Sequence, residues 1–147
     1  MTILPDSSIL IAYFARASYG DRLERDLCAG RLVLSSVVAE EVMAGARDQE
    51  EQKIYDDFFD RCRRSGSIAT PTDEMWRTCG RLLSRYRGRF GDIRTRDHQN
   101  DVLIVLTGRQ LARDEETIIL TENDAHFATW LGFIRDPSRL RIEAARR

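Results

Sequence analysis

The sequence contains little cysteine and histidine, almost no lysine, and no long apolar run. Its three cysteines, Cys28, Cys62 and Cys79, lie far apart and form no C-x-x-C pair, which argues against a disulfide scaffold and a zinc site. No apolar stretch approaches the ~20 residues that a membrane span requires. The first residues lack a basic segment followed by a small-residue cleavage site. We therefore predict a cytoplasmic protein that makes no membrane contact.

Arginine supplies nearly all of the positive charge. Lys53 is the single lysine among 23 basic residues, and the formal net charge is −1. The guanidinium group is well suited to binding phosphate, but GC-rich coding produces the same bias, and both interpretations stay open at this point. With 147 residues, of which 42% are hydrophobic and 32% charged, we predict one domain over 1–147 with a single core.

Short apolar segments alternate with helical ones along the chain. This alternation is typical of an α/β fold with a mostly parallel sheet and helices on both faces. The tail, about 137–147, is predicted to form a final helix or to fray. Strands are predicted at 2–5, within 31–36, within 65–72 and at 117–121. Helices are predicted after 6, at 19–29, after 36, at 48–64, at 73–87, at 100–113 and after 122. Asn100 or a neighbour is the predicted cap of the helix at 100–113, and a loop is predicted over 89–99.

Three acidic residues follow or precede the predicted strands. Asp6 ends the first strand, Glu41 lies in the helix after the second, and Asp101 begins the helix before the last. Because ligand sites of parallel sheets lie beyond the carboxyl ends of the strands, we expect these side chains to converge. A single acid at a helix start is usually a cap, but three acids among core-type residues repel one another unless a cation holds them.

The chemistry of these ligands favours one class of metal. Carboxylate oxygens without a cluster of His or Cys prefer Mg²⁺ or Mn²⁺ to zinc. Such an ion polarises a phosphoryl oxygen and activates water, so no serine, cysteine or histidine nucleophile is needed. The acidic residues therefore predict metal-dependent hydrolysis of phosphodiester bonds.

Four segments spread over nearly the whole chain resemble the PIN-domain ribonucleases, and most of all the VapC toxins of bacterial toxin–antitoxin pairs. In that family an Asp ends the first strand, a Glu lies four residues before a Gly, an Asp begins the later helix, and a Thr-x-Asn/Asp pattern ends in Phe. The segments are "ILPDSSILI", "LSSVVAEEVMAGA", "NDVLIVLTGRQLA" and "ILTENDAHF", and the matching residues are Asp6, Glu41 before Gly45, Asp101, and Thr121 with Asn123 before Phe127.

The resemblance implies a three-layer α/β/α architecture and a set of metal ligands. Asp6, Glu41 and Asp101 would hold Mg²⁺ or Mn²⁺, and Asn123 would complete the catalytic site. The register with Gly45 selects Glu41 over its neighbour as the inward residue, because adjacent helix positions point about 100° apart.

Other residues of the matched segments are given supporting roles. Many relatives carry Asp where Asn123 stands, and Asp124 is the alternative for completing the site. Ser7 follows the first Asp and would orient water or phosphate, although a simple helix cap is an equal alternative. Thr121 belongs to the same supporting set. His126 lies within the last segment, and we give it a structural or surface role.

Arginines on one predicted helix are the candidates for RNA binding. The four-residue spacing places Arg81 and Arg85 on one face, and Arg87 and Arg89 follow. They would neutralise the phosphates of a single strand or loop. A solvated helix face is the equally open alternative.

Together these features predict a metal-dependent endoribonuclease. The resemblance further implies a homodimer, a cognate antitoxin, a toxic action on RNA, and products with 5′-phosphate and 3′-hydroxyl ends. Two alternatives remain at this point. One is a nuclease of the same fold that acts in RNA processing or on structured DNA without an antitoxin, and the other is a non-catalytic RNA-binding module.

Overall fold

The computed structural model describes residues 1–92, 94–134 and 139–145, with the backbone alone at 95 and 96. Within these ranges the chain forms seven helices and five strands, and no helix there is long and apolar enough to cross a membrane. The strands are β1 (Thr2–Pro5), β2 (Leu34–Ser35), β3 (Ile68–Ala69), β4 (Thr117–Thr121) and β5 (Leu140–Ala144). The helices are α1 (Ser7–Arg16), α2 (Gly20–Cys28), α3 (Ser36–Ala44), α4 (Gln49–Arg64), α5 (Asp73–Phe90), α6 (Thr95–Leu111) and α7 (Asp124–Leu131).

A parallel sheet forms the centre of the molecule. β4 lies between β1 and β5, and both pairs are parallel. β2 and β3 form a second parallel pair, which a parallel bridge between Ile3 and Leu32 connects to β1. The predicted three-layer α/β/α architecture is confirmed.

The two central strands are buried along their whole length. Every residue of β1 and β4 is buried, so neither strand has a solvent-facing side. Parallel strands covered by helices on both faces have continuous apolar runs rather than alternating ones. This property made β1 and β4 recognisable in the sequence, and it places the residues that follow them at one edge of the sheet.

α6 packs against the sheet at Gly108, a residue without a side chain. A Cβ atom at Gly108 would lie 3.0 Å from Leu140 Cδ1 and 3.2 Å from Ile119 Cδ1. Glycine therefore permits the helix to approach β4 and β5 closely. Leu103 and Ile104, one turn earlier, are fully buried.

The prediction of a loop over 89–99 is mostly wrong. α5 continues to Phe90 and α6 begins at Thr95, so only 91–94 separate them, and residue 93 lies outside the described residues. The predicted cap at Asn100 is also wrong, because Asn100 lies inside α6 and Arg94 precedes the helix without a side-chain capping bond. The apolar positions that reveal this helix begin only at Val102, since the earlier turn does not enter the core.

The final helix predicted for the tail is also wrong for the part of the tail that the structure describes. Residues 140–144 form β5, which pairs with β4 from Thr117↔Leu140 to Thr121↔Ala144. The hydrogen-bonding partner of this short strand lies more than 20 residues away in sequence, and local periodicity does not reveal such pairing. Residues 137, 138, 146 and 147 of the predicted tail lie outside the described residues.

Candidate active site

Asp6 is a buried carboxylate at the junction of β1 and α1. The residue is 4% exposed, and its backbone N–H donates to Leu120 O of β4 at 3.0 Å. Oδ1 accepts the N–H of Ile9 at 3.2 Å, so Asp6 also caps α1. Capping explains why the helix begins here, but it satisfies only part of a charge that is almost fully removed from water.

Two hydroxyl groups provide the rest of the compensation. Ser8 Oγ donates to Asp6 Oδ1 at 2.6 Å, and Thr121 Oγ1 donates to Oδ2 at 2.7 Å. Each hydroxyl also accepts a backbone N–H, Ser8 from Glu122 at 3.0 Å and Thr121 from Asn123 at 2.8 Å. Because each hydroxyl has one proton, this arrangement directs both protons to Asp6 and favours its ionised form.

The pKa of Asp6 reflects two opposing influences. Burial is the larger one and raises the pKa above the usual value of a carboxyl group. The hydrogen bonds from Ser8, Thr121 and the N–H of Ile9 lower it and offset the burial only in part. The carboxylate is therefore held at a free-energy cost, which a nearby cation would reduce.

Glu41 contributes an acceptor without a partner. It lies on α3 and is half-buried, whereas the neighbouring Glu40 is exposed, in agreement with the register predicted from Gly45. Its Oε2 atom is buried and has no hydrogen-bond partner among the described residues. A buried carboxylate oxygen that lacks a donor has lone pairs available for a cation, a water or a substrate hydrogen.

Asp101 is the third carboxylate and lies in the second turn of α6. Its pKa is raised to about 6: burial is the largest cause, and the charges of Glu41 and Asp6 add to it, while His126 and His98 act in the opposite direction. Its side chain is 23% exposed. These influences show that Asp101 lies close enough to Glu41 and to Asp6 to be repelled by both.

The donor set suits a hard divalent cation, although it is not preassembled around one. In the described parts of the chain no group of three or more His, Cys, Asp or Glu side chains could hold a metal ion as it stands. Mg²⁺ usually keeps several waters and takes only one or two carboxylates, so it does not need such a group. Glu41, with its unpartnered Oε2, and Asp101, with its raised pKa, are the two carboxylates most open to an ion.

The supporting residues differ in how the structure places them. Ser7 is the first residue of α1 and makes no side-chain hydrogen bond with the described residues, whereas Ser8 contacts Asp6. Asn123 and Asp124 are both exposed at the start of α7, and the Asn123 side chain makes no capping bond. The choice between Asn123 and Asp124 stays a prediction.

The sequence analysis did not single out Ser8 and gave His126 only a structural or surface role, yet both lie near the carboxylates. Ser8 carries half of the hydroxyl contacts to Asp6, and the Asp-Ser-Ser sequence offers two equivalent candidates. His126 Nδ1 lies 3.7 Å from Asp101 Oδ2. The helical spacing between Asn123 and His126 places them on one side of α7, which is the only sequence signal for this approach.

The arginines predicted to bind RNA lie on the surface of α5. Arg81 and Arg85 line a concavity of about 320 Å³ together with Arg109 and Phe133. Arg81 Nη2 donates to Thr78 Oγ1 at 2.8 Å. Arg87 and Arg89, at the end of the helix, are also exposed and do not line this concavity, and Arg89 lies over the ring of Phe90.

The sequence profile of the PIN domain matches residues 3–129, which contain all the site residues described above. The chain belongs to the PIN domain family. PIN domains are nucleases and generally use divalent metals. The family expected from the four matching segments is thus confirmed. No curated protein shows significant sequence similarity to this PIN domain.

Several solved structures share the fold along almost their whole length. VapBC2 from Rickettsia felis, bound to a DNA fragment from their promoter, matches with a TM-score of 0.67 at 20% identity, covering 97% of this chain and 98% of that one. DNA-bound VapBC from Salmonella typhimurium matches at 0.64 with 13% identity, covering 97% of both chains. FitAcB from Neisseria gonorrhoeae matches at 0.60 with 13% identity, covering 97% and 98%.

Proposed function

We propose that this PIN domain is a Mg²⁺- or Mn²⁺-dependent endoribonuclease and the toxin of a toxin–antitoxin pair. The observation that carries the proposal is Asp101, a carboxylate that the charges of two other acidic residues repel. Of these two, Asp6 is buried with a donor on each oxygen, and Glu41 has a buried Oε2 without a partner. A protein gains nothing in stability by placing Asp101 where two other acidic residues repel it. Such a cluster is typical of a site that binds a cation and a phosphate.

Asp6, Glu41 and Asp101 are the proposed metal ligands. A bound Mg²⁺ or Mn²⁺ supplies positive charge at the scissile phosphodiester and makes water a stronger nucleophile at neutral pH. Ser8 and Thr121 are positioning residues, because their protons fix both oxygens of Asp6. PIN nucleases generally use divalent metals, which supports this assignment.

Asn123 is proposed to complete the site from the start of α7. Its backbone N–H is held by Thr121 Oγ1 at 2.8 Å, which ties the position of this residue to that of Asp6. The exposed side-chain amide is neutral and offers both a donor and an acceptor, so it suits a phosphate or a water as well as an ion. Asp124 is the alternative at this position.

The partners follow from the family and from the similar structures. VapBC and FitAcB are the names of the complexes that share this fold, and the resemblance to VapC toxins predicts a cognate antitoxin for this chain. We propose an RNA substrate, a homodimer and a cytoplasmic location as parts of the same function. Arg81, Arg85, Arg87 and Arg89 are proposed to contact RNA phosphates.

Cleavage of cellular RNA by the purified protein tests the proposal. Wild type, Asp101→Asn and Asp57→Asn are compared with Mg²⁺, Mn²⁺ and EDTA. Asp57 is an exposed carboxylate on α4, so its variant controls for loss of one charge. We expect discrete fragments with 5′-phosphate ends from wild type and Asp57→Asn with metal, and none from Asp101→Asn or with EDTA.

Other results would contradict particular parts of the proposal. Full metal-dependent cleavage by a folded Asp101→Asn would remove Asp101 from the catalytic site. Preferential cleavage of branched DNA, with RNA left intact, would favour the nuclease without an antitoxin. RNA binding without cleavage, and without Mn²⁺ binding in a calorimeter, would identify a non-catalytic module.

A further inference from the structure

A second concavity is lined by the residues that directly precede Glu41 and Asp101 in the sequence. It has a volume of about 580 Å³, which is within the range of pockets that bind small organic ligands. α3, α5, the start of α6 and the segment before α5 bound it. Among the residues that line it are Ser36, Glu40, Thr70, Trp76, Gln99 and Asn100.

The pocket adjoins the candidate active site on two separate helices. Glu40 directly precedes Glu41 on α3, and Asn100 directly precedes Asp101 on α6. Adjacent Cα atoms are about 3.8 Å apart, and adjacent helical side chains point about 100° apart. The pocket therefore begins next to two proposed metal ligands without using either of them, and a nucleotide beside the scissile phosphate could reach it.

Trp76 provides an open aromatic surface on the wall of this pocket. It is 47% exposed and has no ring partner among the described residues. The other tryptophan, Trp130, is 2% exposed and packs against Tyr86 with ring centroids 4.8 Å apart. Unpaired bases stack on exposed aromatic rings in single-strand binding sites, and every base has a face that permits this contact.

Polar groups across the pocket can read the edge of such a base. Glu40 is exposed and forms no ion pair or hydrogen bond with the described residues, so its two oxygens are available as acceptors. Guanine presents adjacent N1–H and N2–H donors that match a carboxylate, whereas adenine and cytosine present one amino group and uracil one ring N–H. The amides of Gln99 and Asn100 supply donors for a base carbonyl.

We propose that this pocket binds one unpaired base of the RNA and binds guanine more tightly than the other three bases. The ring of the base stacks on Trp76, and its edge forms hydrogen bonds with Glu40. This inference rests on the proposed function, because it names the specificity of the same nuclease site. It predicts that the enzyme cleaves RNA next to an unpaired guanine.

Binding without cleavage tests the pocket independently of catalysis. Tryptophan fluorescence is measured in EDTA while the ribopentanucleotides UUGUU, UUAUU, UUCUU and UUUUU are added to wild type. We expect the strongest quenching and the tightest binding with UUGUU. Calorimetry then compares variants: Trp76→Leu should weaken binding of all four by about tenfold, Trp76→Phe should retain most of it, and Glu40→Gln should remove the preference for guanine.

Ile54→Ala is the control for the loss of an exposed apolar side chain. Ile54 is 51% exposed, lies on α4 and does not line the pocket. Its variant should bind the pentanucleotides like wild type. Equal weakening in both variants would mean that Trp76 has no special role and would overturn the inference.

Metal-dependent cleavage of an RNA pool separates the two proposals. If wild type cleaves and Trp76→Leu cleaves the same bonds at the same rates, the pocket inference is wrong and the nuclease remains. If nothing is cleaved but UUGUU binds through Trp76, the pocket remains and the nuclease is wrong. If Trp76→Leu converts a dimer to a monomer with unchanged oligonucleotide binding, the pocket is a contact between two copies of the chain, and the inference is wrong.

Discussion

Thr121 Oγ1 donates a 2.7 Å hydrogen bond to Asp6 Oδ2 across 115 residues of sequence. The bond connects the ends of β1 and β4, which are adjacent parallel strands. Because Ser8 holds the other oxygen, the carboxylate has one orientation, and that orientation depends on correct pairing of the sheet. The sheet and the candidate site therefore form together.

Replacing Thr121 with valine tests this coupling. Thr121→Val preserves the shape of the side chain but removes one donor from Asp6 and leaves the N–H of Asn123 without its acceptor. We expect a loss of about 2–3 kcal/mol in the free energy of unfolding, because hydrogen bonds to buried charges are the stronger ones. Urea denaturation at neutral pH measures the loss.

Thr107→Val is the control for that variant. Thr107 is equally buried, but its hydroxyl donates to Leu103 O within α6 at 2.8 Å and contacts no charge. Its replacement should cost less than about 1 kcal/mol. If the two variants lost the same free energy, the bond to Asp6 would have no special importance for stability.

Asp101→Asn should stabilise the metal-free protein at neutral pH. Folding raises the pKa of Asp101 from 3.8 to about 6, so between these values the folded state binds a proton that the unfolded state does not. Asp101 therefore costs the folded protein nothing in free energy of unfolding at low pH. It becomes destabilising as the pH rises from about 4 to 6. The amide should add about 1–3 kcal/mol at pH 7.

Thermal unfolding between pH 4 and 8 in EDTA measures this effect. The difference in Tm between Asp101→Asn and wild type should be close to zero near pH 4, grow between about pH 4 and 6, and stay constant at higher pH. A difference that is constant over the whole range would show that neither burial nor the neighbouring charges raise the pKa of Asp101 in the folded state.

Divalent ions should reverse the order of stability. Mn²⁺ binds the folded site and not the unfolded chain, so an ion at a hundred times its Kd adds about 2.7 kcal/mol to wild type. Asp101→Asn should gain much less, because one proposed ligand has lost its charge. Asp57→Asn should respond like wild type. An equal rise in Tm for all three proteins would place the ion elsewhere.

Replacing two helix glycines with alanine should change the free energy of unfolding in opposite directions. Gly80, on α5, has open space where a Cβ atom would lie, so Gly80→Ala should stabilise the protein by up to about 1 kcal/mol through helix propensity. At Gly108 the same gain is opposed by Leu140 Cδ1 at 3.0 Å and Ile119 Cδ1 at 3.2 Å. Overpacking costs about 1–3 kcal/mol, so we expect a net loss at Gly108. Paired urea titrations decide the sign.

The arginine concavity should affect RNA binding through charge alone. A double replacement, Arg81→Gln with Arg85→Gln, should weaken binding of single-stranded RNA in EDTA and reduce the slope of log K against log salt by about 1 to 2. Arg63→Gln with Arg64→Gln, on the exposed end of α4, is the matched control. An unchanged slope in the first pair would identify a solvated helix face.

Much of the fold was predictable because its signals are local. The buried runs of β1 and β4 and the cap of α5 by Thr72, which accepts the N–H of Met75 at 3.2 Å, are visible in short stretches of sequence. β5 and the first turn of α6 were missed. β5 depends on a distant strand, and the first turn of α6 has no apolar position that reveals it.

The sequence alone determined which residue types end the strands, and hence the expectation that three carboxylates meet at one edge of a parallel sheet. Only the tertiary structure decided that Ser8 rather than Ser7 holds Asp6, that His126 approaches Asp101, and that Glu40 and Trp76 share a pocket. The physical reason is that side-chain direction depends on how helices pack. A helix turns about 100° per residue, so one position of difference selects another neighbour.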